Sequence, residues 1–191
     1  LLQALRDALP DLEILHRDED LKPYECDGLS AYRTVPLLVA LPERLEQVQT
    51  LLKLCHQRGV PVVARGAGTG LSGGALPLAK GILLVMARFN RILEVNPQGR
   101  YARVQPGVRN LAISQAAAPH GMYYAPDPSS QIACSIGGNV AENAGGVHCL
   151  KYGLTVHNVL KVDILTVEGE RLSLGSDALD SPGFDLLALY T

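Results

Sequence analysis

The placement of glycine constrains this chain more than any other feature. Of 19 glycines, Gly59, Gly66, Gly68, Gly70, Gly73, Gly74 and Gly81 crowd one window, and Gly137, Gly138, Gly145, Gly146 and Gly153 another. A residue without Cβ reaches positive φ and lets other atoms approach its backbone, at an entropic cost on folding. Two backbone-exposing sites are therefore expected in a chain of 191 residues, a length suited to one domain with its own core.

Composition removes several function classes. Lys plus Arg is 17 and Asp plus Glu 19, scattered along the chain, so the formal charge is −2 and no basic nucleic-acid footprint is present. The longest apolar run, Ile82 to Ala87, falls far short of the ~20 residues of a membrane-spanning helix, so direct membrane insertion is not expected. Cys26, Cys55, Cys134 and Cys149 show no C-x-x-C spacing and are too sparse for a disulfide scaffold, which fits reduced thiols in a cytoplasmic compartment. The chain opens Leu-Leu-Gln without Met or signal peptide and stops at Tyr190-Thr191 inside an apolar stretch, as expected of a segment cut from a longer protein.

The elements can be placed coarsely. The first twenty residues read as a surface helix plus a polar loop. Leu37 to Leu41 reads as a buried strand, and Pro42 opens a helix whose Leu45, Val48, Leu52 and Cys55 recur at three and four residues before Gly59 ends it. Val60 to Ala64 supplies a second strand, completing a βαβ unit with parallel strands. Ile82 to Met86 is a further buried strand. Arg91 to Val95 and Tyr101 to Gln105 flank Asn96-Pro97-Gln98-Gly99 as a hairpin, Val108 to Ala118 forms a helix closed by His120-Gly121, and Val159 to Val167 with Arg171 to Leu174 bracket another hairpin turn. The mixture predicts an α+β fold.

Arg65-Gly66-Ala67-Gly68-Thr69-Gly70-Leu71-Ser72-Gly73-Gly74 follows directly on a strand, and Gly68-x-Gly70-x-x-Gly73 matches the dinucleotide fingerprint as text. That fingerprint needs a helix to start in the loop and a crossover behind it. Only Ala75 to Lys80, interrupted by Pro77, precede Gly81, so a Rossmann unit does not fit, and no Gly-Lys-Ser/Thr is present for a Walker loop. There remains a loop whose successive amides form an anion-binding concavity, with Thr69 and Ser72 hydroxyls as further donors and Arg65 as charge; a pyrophosphate is the natural guest. A flexible linker is the plain alternative, but linkers are not usually fed by a strand and followed at once by a core strand.

In the second window, Pro126-Asp127-Pro128-Ser129-Ser130-Gln131 reads as a rigid turn. Ser135 then stands in position to cap a short helix carrying Gly137 and Gly138 in its first turn, each costing about 1 kcal/mol relative to Ala. Close approach of a flat ligand to bare backbone and a tight contact between helices explain these glycines equally well. Asn139 and Asn143, four residues apart, are predicted to share one helical face and to offer amides to the edge of a heteroaromatic ring.

These segments, in this order, resemble the FAD-binding domain of the vanillyl-alcohol-oxidase or p-cresol-methylhydroxylase superfamily. More narrowly, Cys134 to Val159 and the tail from Leu174-Gly175-Ser176-Asp177 to Tyr190-Thr191 resemble the flavoprotein subunits of bacterial glycolate oxidases. The resemblance implies an α+β fold with a small parallel βαβ subdomain (about 1–95) and a larger, mainly antiparallel one (about 96–191). FAD would lie between them, and a C-terminal substrate or cap domain would be missing from residues 1–191. It implies cofactor contacts from Arg65, Gly66, Ala67, Gly68, Thr69, Gly70, Leu71 and Ser72, from Pro126, Asp127 and Ser130, and from Ser135, Gly137, Gly138, Asn139, Ala141, Asn143, Gly145 and Gly146. It implies oxidation of a 2-hydroxy acid by hydride transfer from C2 to flavin N5, glycolate being favoured over D-lactate and D-2-hydroxyglutarate. A non-catalytic nucleotide-binding or scaffold subunit is the alternative from another class. Members with covalent FAD resemble Arg-x-Gly-Gly-His in this loop; here Gly66-Ala67-Gly68 follows Arg65, so FAD is expected to be non-covalent. The glycolate-oxidase resemblance also implies partner subunits, one of them an iron–sulfur protein, and through them attachment at the inner face of the membrane.

The lone histidines carry less. His148 and His157 flank Tyr152-Gly153, but the sequence places no carboxylate beside either and the resembled family's base lies elsewhere, so both read as structural. His120 fits a helix C-terminus. His16 and His56 follow no zinc spacing, and no metal site or catalytic residue is expected in this chain. One elongated ligand accounts for both glycine windows more economically than two separate anion sites do. We therefore expect any crystal structure of this chain to show the Arg65–Gly74 loop and the Ser135–Gly146 segment on opposite sides of one groove, read as the Gly68–Gly138 Cα distance; packed core between them would overturn the shared-ligand reading.

Overall fold

The computed structural model describes residues 1–176 and 183–191. Residues 177–182, including Asp177 of the tail that carries the resemblance, lie outside the described residues. The chain divides into two compact units: residues 1–89 with 165–170, and 90–164 with 171–191.

In the first unit, α1 (Leu2–Ala8) leads into β1 (Glu13–Leu15) and α2 (Asp18–Leu21). There follow β2 (Leu38–Leu41), α3 (Leu45–Gln57), β3 (Val62–Arg65) and β4 (Ile82–Val85). The four strands form one sheet in the order β1-β2-β4-β3, with β1 antiparallel to β2 and both β2 and β3 parallel to β4. The expected βαβ strands are thus parallel, with β4 inserted between them. Residues of β2 and β4 are buried throughout, as a sheet covered on both faces requires. Leu38, Ala40, Ile82 and Leu84 pack with Leu5, Leu9, Leu12, Val48, Leu51 and Cys55; Val39, Leu41, Leu83 and Val85 pack with Leu21. Burial pushes the Cys55 thiol up to about 11.

Two expectations are corrected in this unit. The first twenty residues are not a surface helix and polar loop: Leu5 is fully buried, and β1 closes the sheet edge on Leu41, Ala40 and Val39. A three-residue strand carries too little alternation to be legible, and its pairing with β2 defines it. The helix also begins at Leu45 rather than Pro42, because Gln47 Oε1 accepts from the N–H groups of Glu43 (2.8 Å) and Arg44 (3.2 Å) and ties off the turn before it. Leu51, not Leu52, is its fully buried leucine.

The second unit contains β5 (Ile92–Asn96), β6 (Tyr101–Val104), α4 (Asn110–Ala117), α5 (Ile136–Ala141) and α6 (Cys149–Tyr152). β7 (Lys161–Leu165), β8 (Arg171–Gly175) and α7 (Leu186–Leu189) follow. β5 and β6 form the expected antiparallel hairpin, its turn fastened by the Gly99 N–H donating to Asn96 Oδ1 at 2.8 Å. β7 pairs with β8 across a turn that contains Gly169 at φ +77°. Val108, Ile113 and Ile136 form the core, covered by Ile92, Val104 and Tyr124.

Leu51 has no exposed surface and lies where α1, α3 and the sheet meet. Leu51→Ala should lower stability by about 2–5 kcal/mol, read as a reduced denaturation midpoint at unchanged m-value.

Candidate functional site

The first glycine loop leaves the end of β3 at Arg65 and reaches β4 without forming a helix. Gly68 and Gly73 take φ of +70° and +78°, which only glycine adopts without strain. Among the described residues, no protein group accepts a hydrogen bond from the backbone N–H groups of Gly66 through Gly74. Backbone donors left unpaired in succession on a partly buried loop form an anion cradle. Arg65 does not reach out over this cradle. Its Nη1 donates to the Cys26 carbonyl at 2.7 Å, its guanidinium stacks 5.8 Å from the centroid of the Tyr24 ring, and it fills the space a Cβ on Gly68 would take.

Sequence reasoning missed what lies beneath this loop. Asp27, 6% exposed, accepts from the N–H of Leu29 (2.9 Å) and of Ala75 (3.3 Å), and Gly28 abuts the Thr69 and Gly70 carbonyls. Glu25 is buried next to them and pairs with Lys22 and Arg33, each at 2.6 Å. Hydrogen bonds from Lys22 and then Arg33 hold its carboxyl below the usual glutamate range. The one legible signal was the Asp27-Gly28 pair, between β1 and β2.

In the second unit the predicted residues of both motifs meet around a buried amide. Asn110, 1% exposed, donates from Nδ2 to the Pro126 carbonyl and to Asn139 Oδ1, both at 3.0 Å, and Asn139 Nδ2 lies 3.3 Å from Cys134 Sγ. Asn110 shares the buried side of α4 with Ile113 and Ala117, so a polar residue at an apolar position was the available signal. The Asp127 carboxylate accepts from the His148 backbone N–H at 3.3 Å and lies 2.6 Å from its Nδ1. That contact, foremost, holds the Asp127 carboxyl below its usual range. The sequence placed no carboxylate beside His148; the fold does. His157 is structural, its Nδ1 accepting from the Leu154 N–H at 3.1 Å.

Three local expectations are corrected. Ser135 occupies the N-cap position of α5, yet its hydroxyl caps nothing; the Ile136 N–H donates instead to the Val108 carbonyl and the Gly137 N–H to the Pro106 carbonyl, both at 2.8 Å. Ser135 Oγ is buried without a hydrogen-bond partner. Asn139 and Asn143 do not share a helical face, since α5 stops at Ala141 and Asn143 adopts φ +46°, its Oδ1 accepting from the Val156 N–H at 3.0 Å. The glycines also divide. A Cβ on Gly137 would lie 2.7 Å from Pro106 Cβ, one on Gly145 would strike Leu154, and one on Gly146 would strike the Asp127 backbone, so internal packing accounts for all three. Gly138 meets only Ser135 Oγ, at 3.4 Å, so close packing does not account for it. Ala141 and Ser130 lie on α5 and in the proline turn, where the Ser130 carbonyl accepts from the N–H of Cys134 at 2.8 Å.

Taken separately, the two units offer donors of the kind a cofactor-binding α+β domain of the flavoprotein class uses: unpaired loop amides on one, an orphaned buried hydroxyl beside Gly138 on the other. Their donors fit a pyrophosphate and the polar edge of a ring. The FAD binding domain family matches residues 36–175, and the chain belongs to that family, with FAD as its cofactor. It is 76% identical over 191 residues to the glycolate oxidase subunit GlcD of Escherichia coli (strain K12), covering 100% of this chain and 38% of that protein. It is 36% identical over 183 residues to the D-2-hydroxyglutarate dehydrogenase of Xanthomonas citri pv. viticola, covering 95% of this chain and 39% of that protein. A solved alkyldihydroxyacetonephosphate synthase superposes with TM-score 0.84 at 21% identity, over 100% of this chain and 37% of that one, so the fold is shared. The chain thus spans about 38% of the length of its E. coli relative.

The two neighbouring glycines of α5 should separate packing from binding. Gly137→Ala is expected to lower the melting temperature of the flavin-free protein, because Pro106 must move. Gly138→Ala should leave it unchanged or raise stability by up to about 1 kcal/mol while weakening flavin uptake. Thermal melts with and without FAD check both outcomes.

Proposed function

We propose that this chain is the cofactor-carrying part of an enzyme that oxidises a 2-hydroxy acid, glycolate before others, to the 2-oxo acid. The observation that carries the proposal is the 76% identity over the whole chain to a protein named a glycolate oxidase subunit. The unpaired amides of Gly66 to Gly74 support it, since they suit the pyrophosphate of FAD.

Bound FAD would supply a two-electron acceptor for the hydride leaving substrate C2. The chain's own contribution is binding and orientation. The loop from Gly66 to Ser72 would hold the pyrophosphate through amides and the Thr69 and Ser72 hydroxyls, with Arg65 bracing the loop from below. Ser135 Oγ and the backbone at Gly138 would face the ring system. The loop between Arg65 and Gly74 has no His or Cys to form a covalent link, so acid precipitation should release the flavin intact. A substrate-binding region would come from polypeptide beyond the FAD-binding domain, whose two subdomains we take as about 1–95 and 96–191.

The relative's name describes a subunit, which supports a complex with partner subunits; that one of them is an iron–sulfur protein is part of the proposal. Among the described residues no helix is long and apolar enough to cross a membrane. A cytoplasmic location, with contact to the inner face of the membrane through those partners, is part of the proposal.

A second reading, oxidation of D-2-hydroxyglutarate, draws on the relative of that name. Assay of the full-length enzyme with a panel of 2-hydroxy acids and an artificial electron acceptor decides between them: glycolate should give the highest kcat/KM. Preference for D-2-hydroxyglutarate would favour the second reading, and bound flavin with no turnover of any 2-hydroxy acid would favour a scaffold role. Independently, Gly68→Val should raise the Kd for FAD about tenfold or more, since a β-branched residue at φ +70° costs at least 1–2 kcal/mol. An unchanged Kd in a flavin titration would remove the loop from the site.

A further inference from the structure

We infer that residues 24–29, which precede the 36–175 family match, act as a clamp that sets the direction of the amides in the Arg65–Gly74 loop, with Asp27 and Gly28 as its positioning residues. The inference rests on the reading that this loop holds the FAD pyrophosphate.

Three successive residues grip the loop at three places. The Cys26 carbonyl accepts from Arg65 Nη1 at 2.7 Å, where the loop begins. Asp27 accepts from the Ala75 N–H at 3.3 Å, where the loop ends, while its other oxygen accepts from Leu29 N–H at 2.9 Å. Between them, a Cβ on Gly28 would lie 2.8 Å from the Thr69 carbonyl oxygen and 2.7 Å from that of Gly70, so only a glycine lets the two backbones meet. In a trans peptide the C=O and the N–H of the same unit point in opposite directions. Carbonyls of Thr69 and Gly70 resting on Gly28 therefore turn the N–H groups of Gly70 and Leu71 away from the clamp, toward the loop's unpaired side. The clamp is itself anchored: the Glu25 carbonyl accepts from the Thr34 N–H at 2.7 Å, and the Glu25 carboxylate is paired with Lys22 and Arg33.

Asp27 makes the inference sharp, because charge and positioning predict opposite signs. A buried carboxylate beneath an anion site repels the anion, so on charge alone Asp27→Asn should tighten FAD binding. If Asp27 instead holds Ala75 and Leu29, Asn leaves one oxygen where two N–H groups need acceptors, and binding should weaken.

The test titrates FAD into the flavin-stripped full-length enzyme and records the 31P resonances of the bound pyrophosphate for the parent, Gly28→Ala, Asp27→Asn and Gly68→Val. Gly28→Ala removes no hydrogen bond, so circular dichroism should match the parent while Kd rises about tenfold or more and the 31P resonances shift. Asp27→Asn should also raise Kd. If both bind like the parent while Gly68→Val binds weakly, the clamp is refuted and the loop reading stands. Tighter binding by Asp27→Asn likewise refutes it. If Gly68→Val also binds like the parent, the loop reading itself fails.

Discussion

A buried or half-buried backbone N–H must find a partner, and the loop from Gly66 to Gly74 does not supply one from within the protein. Much of the first unit is arranged around that constraint. β3 and β4 are parallel neighbours joined without a helix, so the segment between them has no ladder or helix to absorb its amides. Glycines at positive φ let it fold back on itself, the Arg65 side chain fills the space beneath Gly68, and residues 26–28 fix its ends and its middle. The doubly covered sheet supplies the rigid frame from which this loop departs. On the proposed reading, the cofactor's anion would be the partner these amides lack.

The second unit meets the complementary problem of buried side-chain polarity. Asn110 spends its amide donors on the Pro126 carbonyl and on Asn139, which joins α4, the proline turn and α5 through one residue. A buried network of this kind is stable only when its members are satisfied. Ser135 Oγ departs from that rule, beside the N–H groups of Ile136 and Gly137 that are paired with Val108 and Pro106. On the proposed reading, a ligand atom would complete the network at this hydroxyl.

The parts of the fold legible in the sequence were those written in local chemistry. The buried strand at Ile82 to Val85 announced itself as an apolar run, α3 by its three-and-four spacing, the β5–β6 hairpin by Asn-Pro-Gln-Gly, and the first anion loop by glycines that neither a Rossmann nor a Walker geometry could use. Each depends on steric and hydrogen-bonding rules acting within a few residues. The N-terminal strand and the clamp at residues 24–29 were not legible, because a three-residue strand and a buried Asp-Gly turn acquire meaning only from partners far along the chain.

The glycines of the second window show where that boundary falls. Sequence alone determined that backbone would be bare at Gly137, Gly138, Gly145 and Gly146, because the missing Cβ is a property of the residue. Only the tertiary structure decided what uses the vacated space: Pro106, Leu154 and Asp127 at three of these positions, with no tight neighbour at Gly138. It likewise ended α5 at Ala141, turning Asn143 into a left-handed cap for Val156, and placed Asp127 against His148. Periodicity and composition report what a residue can tolerate. Which neighbour it meets depends on contacts between segments far apart in the chain, and these exist only once the core has brought the segments together.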